Sequence, residues 1–226
     1  MVSGHLPSEL SKLQALEILR LRGSNLLGSI PSELALLTNL RVLMMGDNSF
    51  EDEVLPTFIW SLTNLVMLDM SVLSLQGTLS GDKLTNLSKL TSLDISENRL
   101  SGSLPSEIGY LTDLGKLQAY FNHLVGTIPS EIGYLKNLTI LDLNGNGLLG
   151  NIPTELYQLS NLVVLNFESN KQLRGDLGPL CDIVTENSTQ ELKFRVWVYR
   201  ELSSENPNTI PCYCCVTSEI TVGCHE

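Results

Sequence analysis

The sequence predicts an α/β solenoid of stacked repeats, with a parallel β-sheet on its concave side and short helical or 3-10 turns on its convex side. One observation is a run of prolines 24 or 25 residues apart, or 49 where one is missing. The other is a set of leucines in the same register. Self-similarity at a fixed period is the signature of a repeat architecture. The prolines are Pro7, Pro31, Pro56, Pro105, Pro129 and Pro153, and the leucines are Leu16, Leu40, Leu65, Leu90, Leu114, Leu138 and Leu162.

Each unit follows the pattern L-x-x-L-x-L-x-x-N-x-L-x-G-x-I-P-x-x-L-x-x-L, and the clearest copy begins at Leu90. The alternation L-x-x-L-x-L predicts a short strand whose leucines face inward while the intervening residues face outward. The asparagine predicts an amide that satisfies buried backbone groups, and the glycine relieves the backbone at the next bend. The proline, followed by Ser or Thr and Glu, predicts a short helical turn with proline at its first position and glutamate in its first turn.

This pattern resembles the leucine-rich repeat, and its G-x-I-P segment resembles the plant-type subfamily found in receptor-kinase ectodomains and secreted recognition proteins of plants and algae. The resemblance covers residues 4 to about 180 and implies a right-handed horseshoe or superhelix. We therefore divide the chain into a solenoid, residues 1–180, and a C-terminal cap, residues 181–226. The solenoid comprises a half repeat over residues 4–15 and seven repeats that start near residues 16, 40, 65, 90, 114, 138 and 162.

The chain begins inside a repeat, because residues 4–15 form the second half of a unit and no signal peptide precedes them. We expect a truncated start; the alternative is a member of the family that tolerates a frayed end. Some units depart from the pattern. Ser24 and Leu73 replace the asparagine, Asp52 replaces the glycine, and Ser80 replaces the proline. These irregularities indicate either a binding spot or relaxed packing.

All five cysteines lie in the predicted cap, and residues 192–199 alternate as a strand does, with an apolar face that would cover the last repeat. Clustered cysteines predict disulfides and an oxidising compartment, although an odd number leaves one thiol over. A zinc site at the C-x-C-C segment is the less favoured alternative. The disulfide candidates are Cys181, Cys212, Cys214, Cys215 and Cys224, and the candidate glycosylation sequons are at Asn86, Asn137 and Asn187.

Composition and motifs exclude several classes of function. With 25 acidic and 14 basic residues the net charge is −11, which leaves no basic surface for nucleic acid. The most apolar stretch, residues 59–75, contains too many polar residues to span a membrane. The three histidines fit no catalytic arrangement, and no enzyme motif is present. Gly145-x-Gly147-x-x-Gly150 matches a dinucleotide fingerprint, but these residues belong to the repeat columns and no long helix follows. We expect no cofactor, no resident metal and no enzyme activity.

Recognition by such solenoids uses the concave sheet, so the outward residues of the strands are the candidate site. Exposed aromatics flanked by polar groups are good anchors, which draws attention to Tyr120, Phe121 and His123. The blander interpretation is that any soluble solenoid has polar outward columns and that Phe121 packs inward. The candidate partner-binding residues are Arg20, Arg22, Asp69, Asp94, Ser96, Lys116, Gln118, Tyr120, Asp142 and Asn144.

The resemblance implies an extracellular or cell-surface module that recognises a protein, peptide or glycan, either a receptor ectodomain or a secreted defence or adhesion protein. Any kinase or membrane anchor would lie outside this chain. One alternative is an inhibitor of a cell-wall-degrading glycoside hydrolase, and another is a cytoplasmic scaffold with reduced cysteines. Fold analogy alone does not name the ligand.

Overall fold

The computed structural model describes residues 4–51 and 54–175 and the backbone of residues 195–197. It confirms the predicted solenoid. A typical unit contributes one strand to a long parallel sheet, a second short strand to a neighbouring sheet, and a short helical turn. The repeat leucines fill the space between these layers, and most of them are less than 4% exposed.

The concave sheet has eight parallel strands, each paired with strands from adjacent units. The central residue of each repeat strand is a leucine, from Leu19 to Leu165, at most 8% exposed and in register with its neighbours. Because successive side chains of a strand point to opposite faces, the first and third residues lie on the outer face. The strands are β2 (Ile18–Arg20), β4 (Val42–Met44), β6 (Met67–Asp69), β8 (Ser92–Asp94), β10 (Lys116–Gln118), β12 (Ile140–Asp142), β14 (Val164–Asn166) and β16 (Arg195–Trp197).

Strands of two to five residues follow the asparagine column and form two further parallel sheets. A single parallel bridge between Val54 and Gln76 lies between these two sheets. The glycines at the predicted bends have a left-handed φ, for example +74° at Gly28 and +78° at Gly150, which L side chains rarely adopt. The strands are β1 (Gly4–His5), β3 (Leu26–Gly28) and β5 (Ser49–Phe50) in one sheet, and β7 (Gln76–Thr78), β9 (Arg99–Ser103), β11 (His123–Gly126), β13 (Gly147–Asn151) and β15 (Gln172–Arg174) in the other.

The helical turns are mostly single 3-10 turns, and the predicted place of the proline is wrong by one residue. Pro31 precedes its turn with an extended ψ of 126°, although its carbonyl already accepts a bond from Leu34 N at 3.1 Å. Where Ser80 replaces the proline, the chain forms an α-helix instead, α1 (Gly81–Leu84). The 3-10 turns are η1 (Ser8–Lys12), η2 (Ser32–Leu36), η3 (Thr57–Ser61), η4 (Thr85–Leu87), η5 (Ser106–Tyr110), η6 (Ser130–Tyr134) and η7 (Thr154–Gln158).

The asparagine column acts as predicted. Nδ2 of Asn122 donates to the carbonyls of Ile95 in the preceding unit and of Ala119 and Tyr120 in its own, at 3.0–3.3 Å. Its Oδ1 accepts from Leu100 N at 2.9 Å. Asn98, Asn146 and Asn170 repeat this arrangement. The column is therefore a ladder of amides that ties each unit carrying an asparagine to the unit before it.

The C-terminal strand is present where the structure describes it. β16 runs parallel to β14, with Leu165 opposite Val196, and so extends the concave sheet by one strand. The rest of the predicted cap lies outside the described residues, including Cys181, Cys212, Cys214, Cys215, Cys224 and the sequon at Asn187. Their pairing and modification remain predictions, as does the boundary at residue 180.

Candidate functional site

Two columns of side chains cross the outer face of the concave sheet. One column takes the last residue of each strand, and the other lies two residues later. Because the strands are in register, members of a column are about 4.8 Å apart from strand to strand. The first column is Arg20, Met44, Asp69, Asp94, Gln118, Asp142 and Asn166, and the second is Arg22, Gly46, Ser71, Ser96, Tyr120, Asn144 and Glu168.

A closed polar cluster of Arg22, Asp69 and Ser71 occupies the N-terminal part of this face. The Arg22 Nη1 donates to Asp69 Oδ2 at 2.6 Å and to Ser71 Oγ at 2.8 Å. The other carboxylate oxygen of Asp69 accepts from the backbone N and the Oγ of Ser71, at 3.0 and 2.7 Å. The hydrogen bond with Asp69 is the main reason why the pKa of Arg22 is raised. These contacts use most of the polar groups of the cluster internally.

Gly46 makes room for this cluster. It stands in the second column, in the unit between those of Arg22 and Ser71. A Cβ at this position would lie 2.6 Å from both Asp69 Oδ1 and Ser71 Oγ. The missing side chain lets Arg22 reach across a whole unit to contact Asp69.

The next part of the face, which we call its open part, comprises Asp94, Gln118, Tyr120, Asp142 and Asn144. The Oδ1 of Asp94 accepts from the backbone N and the Oγ of Ser96, at 3.0 and 2.6 Å. No ion pair involves Asp94 within the described ranges. Burial is the main reason why the pKa of Asp94 is raised, and the hydrogen bonds from Ser96 oppose that shift. Asp94 is thus a half-buried carboxylate with no cation partner among the described residues.

Tyr120 covers Ser96 from the next strand. The strongest influence on the pKa of Tyr120 is its hydrogen bond with Ser96, which lowers it. Burial and the negative charges of Asp94, Glu97 and Asp142 together outweigh that effect, so the pKa is raised. The Tyr120 hydroxyl therefore lies in a strongly acidic neighbourhood.

Asp142 is the second carboxylate of the open part. It accepts from Asn144 N at 3.1 Å and from Asn166 Nδ2 at 3.3 Å. Its pKa is raised, mainly by burial and in part by the charges of Asp94 and Glu168. Beside it, Asn144 Oδ1 is shielded from solvent and has no hydrogen-bond partner among the described residues. Leaving a buried acceptor without a partner costs free energy.

An aromatic pair borders the open part. Phe121 follows Tyr120 with a left-handed φ of +48°, and the two rings meet edge to face with centroids 5.7 Å apart. Phe121 is 54% exposed, so the alternative that it packs inward is wrong. Its ring lies over Gly145 of the next unit, where a Cβ would come within 2.3 Å of the ring. Because Gly145 has no side chain, the exposed Phe121 ring can pack directly against its backbone.

The structure shows which of the predicted contact residues are exposed and which are buried. Asp69 and Ser96 are buried, at 4% and 0% exposure, because Arg22 bonds to the first and Tyr120 to the second. Both would act on a ligand only through the side chains that they hold. Arg20 and Lys116 are exposed, and Gln118 lies half-buried between Asp94 and Asp142. The prediction overlooked Gly46, although a glycine in an outward column is a visible sign of close packing.

The two sequons that the structure describes are exposed on other surfaces. The Asn86 amide donates to Trp60 O at 3.3 Å, and the Asn137 amide donates to Thr112 O at 3.0 Å. No helix of the described part is long and apolar enough to cross a membrane. The same part of the chain holds no group of three or more His, Cys, Asp or Glu side chains placed to bind a metal ion.

Comparisons with known proteins agree with the leucine-rich repeat solenoid described above. The family model described as Leucine Rich Repeat matches residues 15–37, 89–111 and 137–159. A search of curated proteins gives no significant match. Among solved structures, a TDR receptor is 33% identical with a TM-score of 0.70. The ectodomain of the Arabidopsis receptor kinase HAESA, in complex with an IDA peptide hormone ligand, is 32% identical with a TM-score of 0.71.

Those two matches cover 77% of this chain but only 29% and 28% of the receptor chains. This chain therefore spans less than a third of their length. A plant ice-binding protein is 25% identical with a TM-score of 0.55, over 77% of this chain and 70% of that one.

Proposed function

Because this chain is a plant-type leucine-rich repeat protein, we propose that it is an extracellular recognition module that binds a protein or peptide on its concave sheet. The binding surface is the open part of the face, formed by Asp94, Gln118, Tyr120, Asp142 and Asn144. The observation that carries the proposal is the pair of half-buried carboxylates without a cation partner in the described chain.

The charge of this surface favours a basic partner. Asp94 and Asp142 lie two strands apart, roughly 10 Å, on either side of the neutral Gln118. The cationic side chain on the intervening strand is Lys116, which forms no ion pair with the described residues. Complementary charge steers encounter and fixes register more than it sets affinity.

The aromatic pair supplies the apolar part of the same surface. Tyr120 and the exposed Phe121 stand beside the carboxylates and are fixed by Ser96 and by the backbone at Gly145. Rigid aromatic side chains lose little conformational entropy on binding and are common anchors at interfaces. A basic peptide with one apolar side chain would fit both parts of the surface.

The structural relatives support the ligand class by analogy. The HAESA ectodomain binds a peptide hormone, and it shares the repeat architecture of this chain. Exposure of the sequons at Asn86 and Asn137 supports an extracellular location, because glycans are attached in the secretory pathway. Expression as a secreted protein should give a mass decrease on treatment with a peptide N-glycosidase. Five free thiols and no glycan in the native protein would instead support the cytoplasmic scaffold.

Selection from a surface-displayed random peptide library tests the proposed surface. We expect the wild-type protein to enrich basic peptides and the double variant Asp94→Lys/Asp142→Lys to lose them. The matched control is Glu33→Lys/Asp113→Lys, which makes the same charge change at exposed carboxylates away from the concave sheet. Equal enrichment by the two double variants would rule out the concave surface.

A further inference from the structure

Two neighbouring strands end in the same D-x-S segment, with the same internal geometry. In Asp69-Met70-Ser71, the carboxylate Oδ1 accepts from the serine N at 3.0 Å and from the serine Oγ at 2.7 Å. In Asp94-Ile95-Ser96, the corresponding distances are 3.0 and 2.6 Å. Asp69 and Asp94 are partners in the sheet register, so the two carboxylates stand side by side. The chain thus presents one acceptor arrangement twice.

Within the described residues, a guanidinium group occupies only the first of these segments. Arg22 donates to Asp69 Oδ2 at 2.6 Å, so the oxygen not used by Ser71 carries the ion pair. The equivalent oxygen of Asp94 has no ion-pair partner among the residues that the structure describes. The contact of Arg22 with Asp69 therefore shows that this arrangement accepts a guanidinium group. This observation is separate from the negative charge of the surface.

We infer that Asp94 is a receptor for the guanidinium group of an arginine side chain supplied by the ligand. This inference rests on the proposed function and names the chemistry of its central contact. The ligand arginine takes the place at Asp94 that Arg22 takes at Asp69. One difference between the two segments is that Tyr120, and not the cation, covers the serine.

The surroundings of Asp94 favour a guanidinium over an ammonium group. A guanidinium presents donors in a planar fork and stacks on aromatic rings, whereas an ammonium is a compact, strongly hydrated charge. Asp94 has Tyr120 beside it, and Gln118 is its register partner on the next strand. A flat cation can therefore contact the carboxylate and the ring together while its remaining N–H groups reach further acceptors.

Amide NMR titration with short peptides tests this inference. The probes are acetyl-Gly-Arg-Gly-amide and its lysine and citrulline counterparts, added at low ionic strength. Because Ser96 N donates to Asp94, its amide signal reports on that carboxylate. We expect the arginine peptide to shift this signal with an affinity at least about tenfold above that of the citrulline peptide, the size of one charge-assisted hydrogen bond. The lysine peptide should bind more weakly than the arginine peptide.

Three variants locate the site. Asp94→Asn keeps an acceptor for Ser96 but removes the charge, so the shift should be lost. Asp82→Asn, at an exposed carboxylate on the convex side, should leave it unchanged. Arg22→Ala empties the arrangement at Asp69, so the arginine peptide should now also shift the Ser71 amide, which donates to Asp69. That variant is a positive control, because it creates a known guanidinium site.

Each other outcome overturns the inference. A shift at Ser71 in Arg22→Ala without a shift at Ser96 would show that the Asp94 arrangement does not accept the group. Equal binding of the lysine and arginine peptides would show that the site has no preference for guanidinium. If the arginine peptide bound neither the wild type nor Arg22→Ala, the Arg22–Asp69 contact would not be a valid model for the site. The inference can fail while the proposed function stands: selected peptides that lack arginine but still depend on Asp94 and Asp142 would overturn the inference and leave the recognition surface intact.

Discussion

The two parts of the concave face have the same backbone frame but different electrostatic states. In the N-terminal part, Asp69 is buried and bonded to Arg22 across the gap at Gly46. In the C-terminal part, Asp94 and Asp142 are half-buried and have no cation partner in the part of the chain that the structure describes, next to Tyr120 and Phe121. A single arginine side chain separates a closed structural cluster from an open acidic surface.

This difference shows how repeats with the same backbone can have different surfaces for binding. The strand, the turn and the asparagine amide recur in nearly every unit because each unit must bury its leucines against the next. The outward residues are free of that requirement. Partly desolvated carboxylates without a cation lower stability, so their presence on this face is more easily explained by binding than by folding.

The largest expected effect comes from a change in the asparagine column, which supports both parts of the face. Asn122→Ala leaves one buried backbone N–H and three carbonyls without the amide. We expect the free energy of unfolding to fall by about 3 kcal/mol, since each orphaned buried group costs about 1–3 kcal/mol and water reaches some of them. Urea denaturation measures this. The control is Asn161→Ala, which removes one exposed bond to Lys136 O and should cost less than about 1 kcal/mol. Similar losses in both variants would contradict the role of the ladder.

The next largest effect is expected when the ion pair between Arg22 and Asp69 is removed. Arg22→Ala leaves Asp69 buried without its cation, and we expect a loss of about 2 kcal/mol, below the range for fully buried pairs because the Arg22 side chain is 44% exposed. Adding Asp69→Asn should restore more than half of that loss. Arg41→Ala is the control, since its contact with Glu17 is 3.8 Å long and both side chains are exposed. If the double variant is as unstable as Arg22→Ala alone, the unpaired carboxylate is not the cause.

A smaller effect tests the gap under Arg22. Gly46→Ala places a methyl group within 3 Å of Asp69 Oδ1, Ser71 Oγ and Ser71 O, and we expect a loss of about 1–2 kcal/mol from overpacking. Gly115→Ala is the matched control, because its Cβ would meet backbone oxygens only at 3.5 Å. Thermal unfolding should separate the two variants. A neutral Gly46→Ala would mean that the cluster shifts freely.

The smallest effect concerns the open part and depends on pH. Burial raises the folded-state pKa of Asp94 above its ordinary value, so the ionised carboxylate lowers stability at pH values above the folded pKa. That loss disappears as the pH falls through the folded pKa towards the unfolded pKa. Asp94→Asn should therefore be more stable than the wild type at pH 7, by less than about 1 kcal/mol. The difference should vanish at pH 3. Greater stability of the wild type at pH 7 would show that Asp94 is favourably compensated within the chain.

Much of the fold followed from the sequence, because the repeat columns obey local rules. The leucines at alternate strand positions, the asparagine amides and the left-handed glycines each have one conformation that satisfies both burial and hydrogen bonding. The proline position was wrong by one residue, since whether a residue caps or begins a turn depends on its ψ angle, which composition does not fix.

The sequence by itself also determined which residues form the outward columns, because the strand period is two and the units are in register. Only the tertiary structure decided which of those residues are available. Arg22 is 47 residues from Asp69 along the chain, and their contact depends on an absent side chain at Gly46. Tyr120 buries Ser96 from the next unit in the same way. Exposure on a repeat surface is set by side chains reaching across neighbouring units, and no pattern within one unit contains that information.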